Sequence, residues 1–196
     1  LLRKEFYDIK ATQDLDKKVN LLVVGGSQGA KFFDDIIQNT IVDLSQKFDL
    51  KIFQQTSLSN YNYLKNFYSK NKIENELFQF NDNILDFMSR SNLCVTRAGA
   101  STLAELVFLN IPHIAIPLPI AKDNHQFENA LFYQQLGCNW ILNQREISNK
   151  NLLEKLINII KNKEEYLQKK KNMKNFNYQN TWNNINQKIK TNINEN

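Results

Sequence analysis

The chain has 196 residues, 42% of them hydrophobic, and its 25 basic and 20 acidic side chains leave a net charge of +5. That length suits one domain, or a large one with a tail, with enough apolar material for a real core. No apolar run approaches the roughly 20 residues a membrane-crossing helix needs, and the opening Leu1-Leu2-Arg3-Lys4 is too short an apolar stretch for a secretion signal, so a cytoplasmic protein is expected.

Residues 1–18 are mixed and charged and read as a connector. Val19 to Val24 is a short apolar run ending in Gly25-Gly26, the pattern of a buried strand. A helix follows to about Phe48, with Phe33, Ile36, Ile37, Ile41 and Leu44 at helical spacing. Leu50 to Gln54 predicts a second strand, Asn60 to Tyr68 a helix, and Leu77 to Phe80 a third strand. Ile84 to Met88 reads as helical, Leu93 to Val95 as the fourth strand, and the next helix ends near Asn110. His113 to Ile116, between Pro112 and Pro117, is the fifth strand. Asn124 to Leu136 is a helix stopped by Gly137, and Trp140 to Leu142 a short sixth strand. Ser148 is placed to cap a helix through Ile160, and further helix with a polar surface follows. The tail from Thr191 to Asn196 has the composition of a disordered end.

Six alternations of strand and helix predict an α/β fold: a Rossmann-like, doubly wound, mostly parallel six-stranded sheet with carboxy-terminal helices. The expected division is a connector over 1–18, a ligand-binding domain over 19–165 and a helical extension over 166–196. Ligands of such sheets bind beyond the carboxyl ends of the strands. Small and polar residues concentrate there, at 25–30, 80–83, 97–102 and 117–126.

The stretch Arg97-Ala98-Gly99-Ala100-Ser101-Thr102-Leu103-Ala104-Glu105 is the most informative of these. It opens a helix whose unpaired N–H groups suit a phosphate. Ser101, Thr102 and Glu105 share one helix face, and a carboxylate one turn in suits the two hydroxyls of a ribose. The structural alternative is a capping box, Thr102-x-x-Glu105, in which Glu105 only satisfies the backbone. Gly25-Gly26-Ser27-Gln28-Gly29-Ala30 can turn tightly and cradle an anion, or be a plain turn. It matches neither the Walker A nor the G-x-G-x-x-G spacing. Gln54-Gln55-Thr56 stands where an NAD-binding acid would end the second strand. Gln126 can donate and accept, as sugar hydroxyls require. His113 reads as structural, and neither His113 nor His125 has metal-ligand company. Asp34 and Asp35 read as an exposed helix face, and Cys94 and Cys138 as buried free thiols. The late lysines, Lys161 to Lys190, read as a solvated face or as attraction to an anionic membrane surface.

Together, GGSQGA at 25–30, FNDN at 80–83, RAGASTLAE at 97–105 and PLPIAKDNHQFENA at 117–130 resemble the donor-binding half of the MurG-like, family 28, GT-B glycosyltransferases. The resemblance implies one half of a GT-B fold and inverting transfer of N-acetylglucosamine from UDP-GlcNAc to a lipid-linked muramoyl-pentapeptide, the step that makes lipid II for peptidoglycan. It implies Arg3 and Ser27 at the donor diphosphate, the backbone of Asn81 at the uracil, and Ala100, Ser101, Thr102, Leu103, Ala104 and Glu105 along the nucleotide-sugar. Glu105 would hold the ribose hydroxyls and Gln126 those of N-acetylglucosamine. No cofactor, metal or nucleic-acid partner is expected, and the implied location is the cytoplasmic face of the membrane, bound peripherally. No catalytic residue is expected in this chain, because the family's acceptor-binding domain, with its proposed base, has no counterpart in these residues. Gln54-Gln55 also departs from the His-Gln common in the family. Two alternatives are the donor-binding subunit of a two-chain N-acetylglucosaminyltransferase and a non-enzymatic basic module for nucleic acid or membrane. An epimerase-like enzyme of the same architecture would need a pair of acid/base carboxylates that the sequence does not offer.

Overall fold

The computed structural model describes residues 2–9, 14–15, 18–79, 84–119, 124–176 and 190–191. Six strands form one sheet: β1 (Val19–Val24), β2 (Leu50–Gln55), β3 (Glu74–Phe78), β4 (Leu93–Thr96), β5 (His113–Ala115) and β6 (Asn139–Ile141). Their order is β3-β2-β1-β4-β5-β6, and every neighbouring pair is parallel. The helices are α1 (Gly26–Ser45), α2 (Leu58–Lys70), α3 (Ile84–Ser89), α4 (Ala100–Phe108), α5 (His125–Gln135), α6 (Asn149–Lys161) and α7 (Lys163–Asn175). This is the Rossmann-like α/β architecture that the alternating pattern predicts.

Side chains alternate along β1, and each face has its own core. Leu21 and Val23 meet Phe33, Ile37 and Ile41 of α1 and Leu152 and Leu156 of α6. Leu22 and Val24 meet Met88 of α3, Leu106 of α4 and Leu109 at its C-cap. A third cluster joins Leu103 and Val107 of α4 to Ala130 and Tyr133 of α5 and Met173 of α7. Cys94 and Cys138 are buried free thiols, as their apolar settings predict. No described helix is long and apolar enough to cross a membrane.

Several expectations shift. The third strand runs over Glu74–Phe78, not 77–80, because it is a charged edge whose first residues do not read as apolar. Lys51 holds its Glu74 at 3.0 Å and its Glu76 at 2.7 Å, and Arg90 grips Glu76 with both terminal nitrogens. These cations hold the Glu76 carboxyl down at about 2, Arg90 contributing most. Helix α1 ends at Ser45, although Phe48 still packs on the core. Ser148 caps α6 in a full capping box with Asn151. Of the tail expected from Thr191 to Asn196, Thr191 is described and is helical, and 192–196 lie outside the described residues.

Asp34 is not on an exposed face: it is 1% exposed. It lies beside Phe33 on the side of α1 that faces β2, where Gln54, Thr56 and Asn60 all donate to its carboxylate at 2.9–3.0 Å. Asp35 is exposed. The boundary expected at 165/166 falls inside α7, whose Tyr166 and Met173 are buried in two of the clusters. The lysines of α7 divide. Lys170 is buried against Asp14 at 2.5 Å, and Lys169 lies 4.5 Å over the Trp140 ring, while Lys171 and Lys174 are exposed. In the segment expected as a connector, Leu2 and Phe6 are anchored in the α3/α4 core.

His113 is fully buried in β5, with Nδ1 3.0 Å from the Ile111 carbonyl and no partner for Nε2 among the described residues. Burial pushes its pKa from 6.5 down to about 4. The unfolded chain therefore takes up this proton first as pH falls. The stability tied to a neutral His113 is complete above pH 6.5 and is lost as pH falls towards 4, by about 3 kcal/mol. Urea unfolding at pH 7 and at pH 4.5 should show this slope, and a His113→Gln variant should lack it.

Candidate functional site: the cleft at the strand ends

Strand order reverses between β1 and β4, so the chain leaves these two neighbours in opposite directions and opens a crevice at their carboxyl ends. At the β1 end, Gly26 has φ +66°, a left-handed conformation that a side chain would strain. Gln55, only 2% exposed, fixes this turn from the end of β2. Its Oε1 accepts the N–H of Gly25 at 3.0 Å and that of Gly26 at 2.9 Å. Gln54 turns instead towards the helices, accepting from Tyr68 Oη at 2.6 Å and donating to Asp34 at 3.0 Å. Helix α1 then runs for 20 residues, with Ser27 second. A helix of that length carries a full macrodipole with its positive end at the crevice.

At the β4 end, the Arg97 N–H donates to the Val24 carbonyl at 3.1 Å, holding the two strand ends together. Gly99 is the N-cap of α4 and receives no side-chain cap. The Leu103 N–H already donates to the Gly99 carbonyl, so the unspent donors of this terminus belong to Ala100, Ser101 and Thr102. Ala100 and Ser101 are exposed, and Thr102 and Ala104 half-buried. Leu103, also expected along the ligand, has its side chain fully buried in the α4/α5 core and its N–H spent on Gly99.

Glu105 is 7% exposed, with Oε1 3.3 Å from Arg3 Nε. The N-cap is Gly99 rather than Thr102, so the capping box does not form. Burial raises the Glu105 pKa, and the Arg3 guanidinium opposes that rise. Arg3 is held in place by Leu2 and Phe6 in the core beneath, and its guanidinium lies 5.0 Å over the Phe6 ring. The fold thus joins two expected site residues that are 102 positions apart.

On the β5 side, Gln126 Oε1 accepts the Leu118 N–H at 3.0 Å, which leaves its amide NH2 as the group that could meet a hydroxyl. Asn129 Nδ2 donates to the Ala98 carbonyl at 3.1 Å, tying α5 to the loop before α4. Arg3, the first turns of α1 and α4, Glu105 and Gln126 therefore gather on the rim formed by the parallel strand ends. Asn81 lies outside the described residues. A cavity of about 300 Å³ is lined by Pro117, Leu118, Asn124, Phe127 and Arg145 among others, and none of the expected site residues lines it. Sequence reading placed Asn129 on the helix face of Gln126 and named Arg97 and Gln55 within their motifs, but gave none of the three the contact it makes here. The signal for Gln55 was a polar side chain at the buried end of the strand next to Gly25-Gly26.

Residues 20–185 match the model of the glycosyltransferase family 28 C-terminal domain. The chain is 60% identical, over its full length and 55% of the relative's, to the UDP-N-acetylglucosamine--N-acetylmuramyl-(pentapeptide) pyrophosphoryl-undecaprenol N-acetylglucosamine transferase of Pelagibacter ubique. It is 40% identical over 79% of its length to the enzyme of the same name from Rickettsia bellii, covering 44% of that protein. The crystal structure of Acinetobacter baumannii MurG superposes with a TM-score of 0.71 at 26% identity, covering 82% of this chain and 46% of that one. The chain thus spans about half the length of the curated relatives it matches. With most of its length matched by the family model, this chain belongs to glycosyltransferase family 28, whose carboxy-terminal domain it contains.

Proposed function

We propose that this chain is the donor-binding half of an inverting N-acetylglucosaminyltransferase that takes UDP-GlcNAc and, in the whole protein, converts lipid I to lipid II. The observation that carries the reading is the convergence of two helix N-termini and the buried Glu105 at one crevice. The relative named for this transfer, 60% identical over the whole chain, supports it.

In this reading the diphosphate lies against the N–H groups that open α1 and α4, from Ser27 and from Ala100 to Thr102. Arg3 adds a charge from the side. Glu105 takes the ribose hydroxyls and Gln126 those of the sugar, while the backbone at Asn81 reads the uracil. An acceptor hydroxyl attacks the anomeric carbon on the face opposite the bond to UDP, and that bond breaks with its electron pair going to the diphosphate. Charge grows on the diphosphate as the bond stretches, and fixed dipoles aimed at it stabilise the transition state more than the ground state. The positive charge this needs comes from the helix termini and Arg3, with no cofactor invoked. The acceptor site and the base that removes its proton are assigned to the other half of the full-length protein. A lipid-linked acceptor places the enzyme peripherally at the cytoplasmic face of the membrane, and no nucleic-acid partner is invoked.

Titration calorimetry of the folded chain with UDP-GlcNAc should give a measurable, weak association, and no heat would count against the assignment. Glu105→Ala should weaken uridine nucleotide binding by at least ~1.5 kcal/mol, the scale of a charge-assisted hydrogen bond, and should abolish any preference for UDP over its 2′-deoxy analogue. An unchanged dissociation constant would reduce Glu105 to a structural partner of Arg3. Gln55→Leu removes the acceptor of two buried N–H groups. It should lower stability by about 2 kcal/mol in urea unfolding and weaken UDP binding through a loosened turn.

A further inference from the structure

Arg97 is 6% exposed, yet no carboxylate pairs with it among the described residues. Its Nη1 donates to the Ile116 carbonyl at 3.2 Å, its guanidinium lies 4.3 Å over the Phe32 ring, and its Nε is buried with no partner. A buried cation that lacks a counter-ion is costly, and an apolar side chain of the same length would fill this space at less cost. Burial drags the Arg97 pKa down to about 10, so the group stays charged at neutral pH. Its location gives that charge a use. The Arg97 N–H is bonded to the Val24 carbonyl, one residue before the glycine turn, and its side chain packs on the face of α1 that Phe32 presents. It therefore stands in the wall between the N-termini of α1 and α4.

Building on the donor reading above, we infer that Arg97 is a positioning residue for the nucleotide's phosphates: a buried positive charge that acts through a low-dielectric wall and receives its counter-anion only when a nucleoside diphosphate occupies the crevice. Such a charge raises affinity with each phosphate on the ligand and leaves the nucleoside alone.

The test compares uridine, UMP and UDP as ligands of the 196-residue chain and of its Arg97→Met and Arg97→Lys variants, with melting curves to establish folding. Met fills the apolar site without charge, and Lys keeps the charge while losing the planar stack. Wild type should bind UDP more tightly than uridine. Arg97→Met should lose about tenfold of that ratio with uridine affinity unchanged, and Arg97→Lys should keep most of it. Equal losses for uridine and UDP in Arg97→Met, or an unchanged ratio, would overturn the inference and leave the donor reading standing. Failure of both variants to fold would assign the guanidinium to the fold and overturn it as well. Wild type that takes neither uridine nor UDP would overturn the donor reading itself.

Discussion

The site depends on one hydrogen-bonding arrangement, the capture of two consecutive N–H groups by a single amide oxygen. Gln55 ends β2 beside Gly25 and Gly26, and by accepting from both it fixes the direction in which α1 departs. That direction sets the angle of the α1 dipole against the crevice and the place of Phe32, over which Arg97 is laid. Arg97 in turn ties β4 to β1, and α4 begins three residues later. The two helix termini that face the crevice are thus positioned through a short chain of buried polar contacts rather than through a flexible loop.

Those contacts are supported from behind by a second set. Gln54, the neighbour of Gln55, is locked between Tyr68 and Asp34, and Asp34 also takes Thr56 and Asn60. Three neutral donors satisfy one carboxylate, which lets α1 press an acidic residue onto the sheet without a cation. Burial pushes the Tyr68 hydroxyl pKa strongly upwards, with help from the Asp34 charge, so this hydroxyl keeps its proton for the bond to Gln54.

The architecture was legible because strands such as Val19–Val24 and helices such as Asn149–Lys161 announce themselves by period and caps. The rim was legible because parallel strands put all their carboxyl-end loops on one edge, where the glycines and hydroxyls had collected. Residues whose environment comes from distant segments were not legible. Asp34 resembles any helical acid until Gln54, Thr56 and Asn60 close over it. The edge strand at Glu74 does not look like a strand until Lys51 and Arg90 neutralise it. Leu103 falls within a motif expected to face a ligand, but helical geometry turns that one side chain inward. Arg3 and Glu105 were each expected at the crevice, yet their direct contact came from the fold alone.

The late lysines illustrate how a charge excess can be absorbed by architecture. Lys170 reaches Asp14, 156 residues earlier, and Tyr166 one turn before it donates to the Asn92 carbonyl at 2.7 Å. The same helix approaches Trp140, whose indole N–H donates to Glu165 at 2.6 Å. Helix α7 is therefore clasped at once to the approach to β1, to the start of β4 and to β6. Peeling it away would uncover Tyr166 and Met173 and break the pair between Lys170 and Asp14. Segments far apart in the sequence thus share one helix as their clasp, and loosening α7 would loosen the approach to β1, the start of β4 and β6 together.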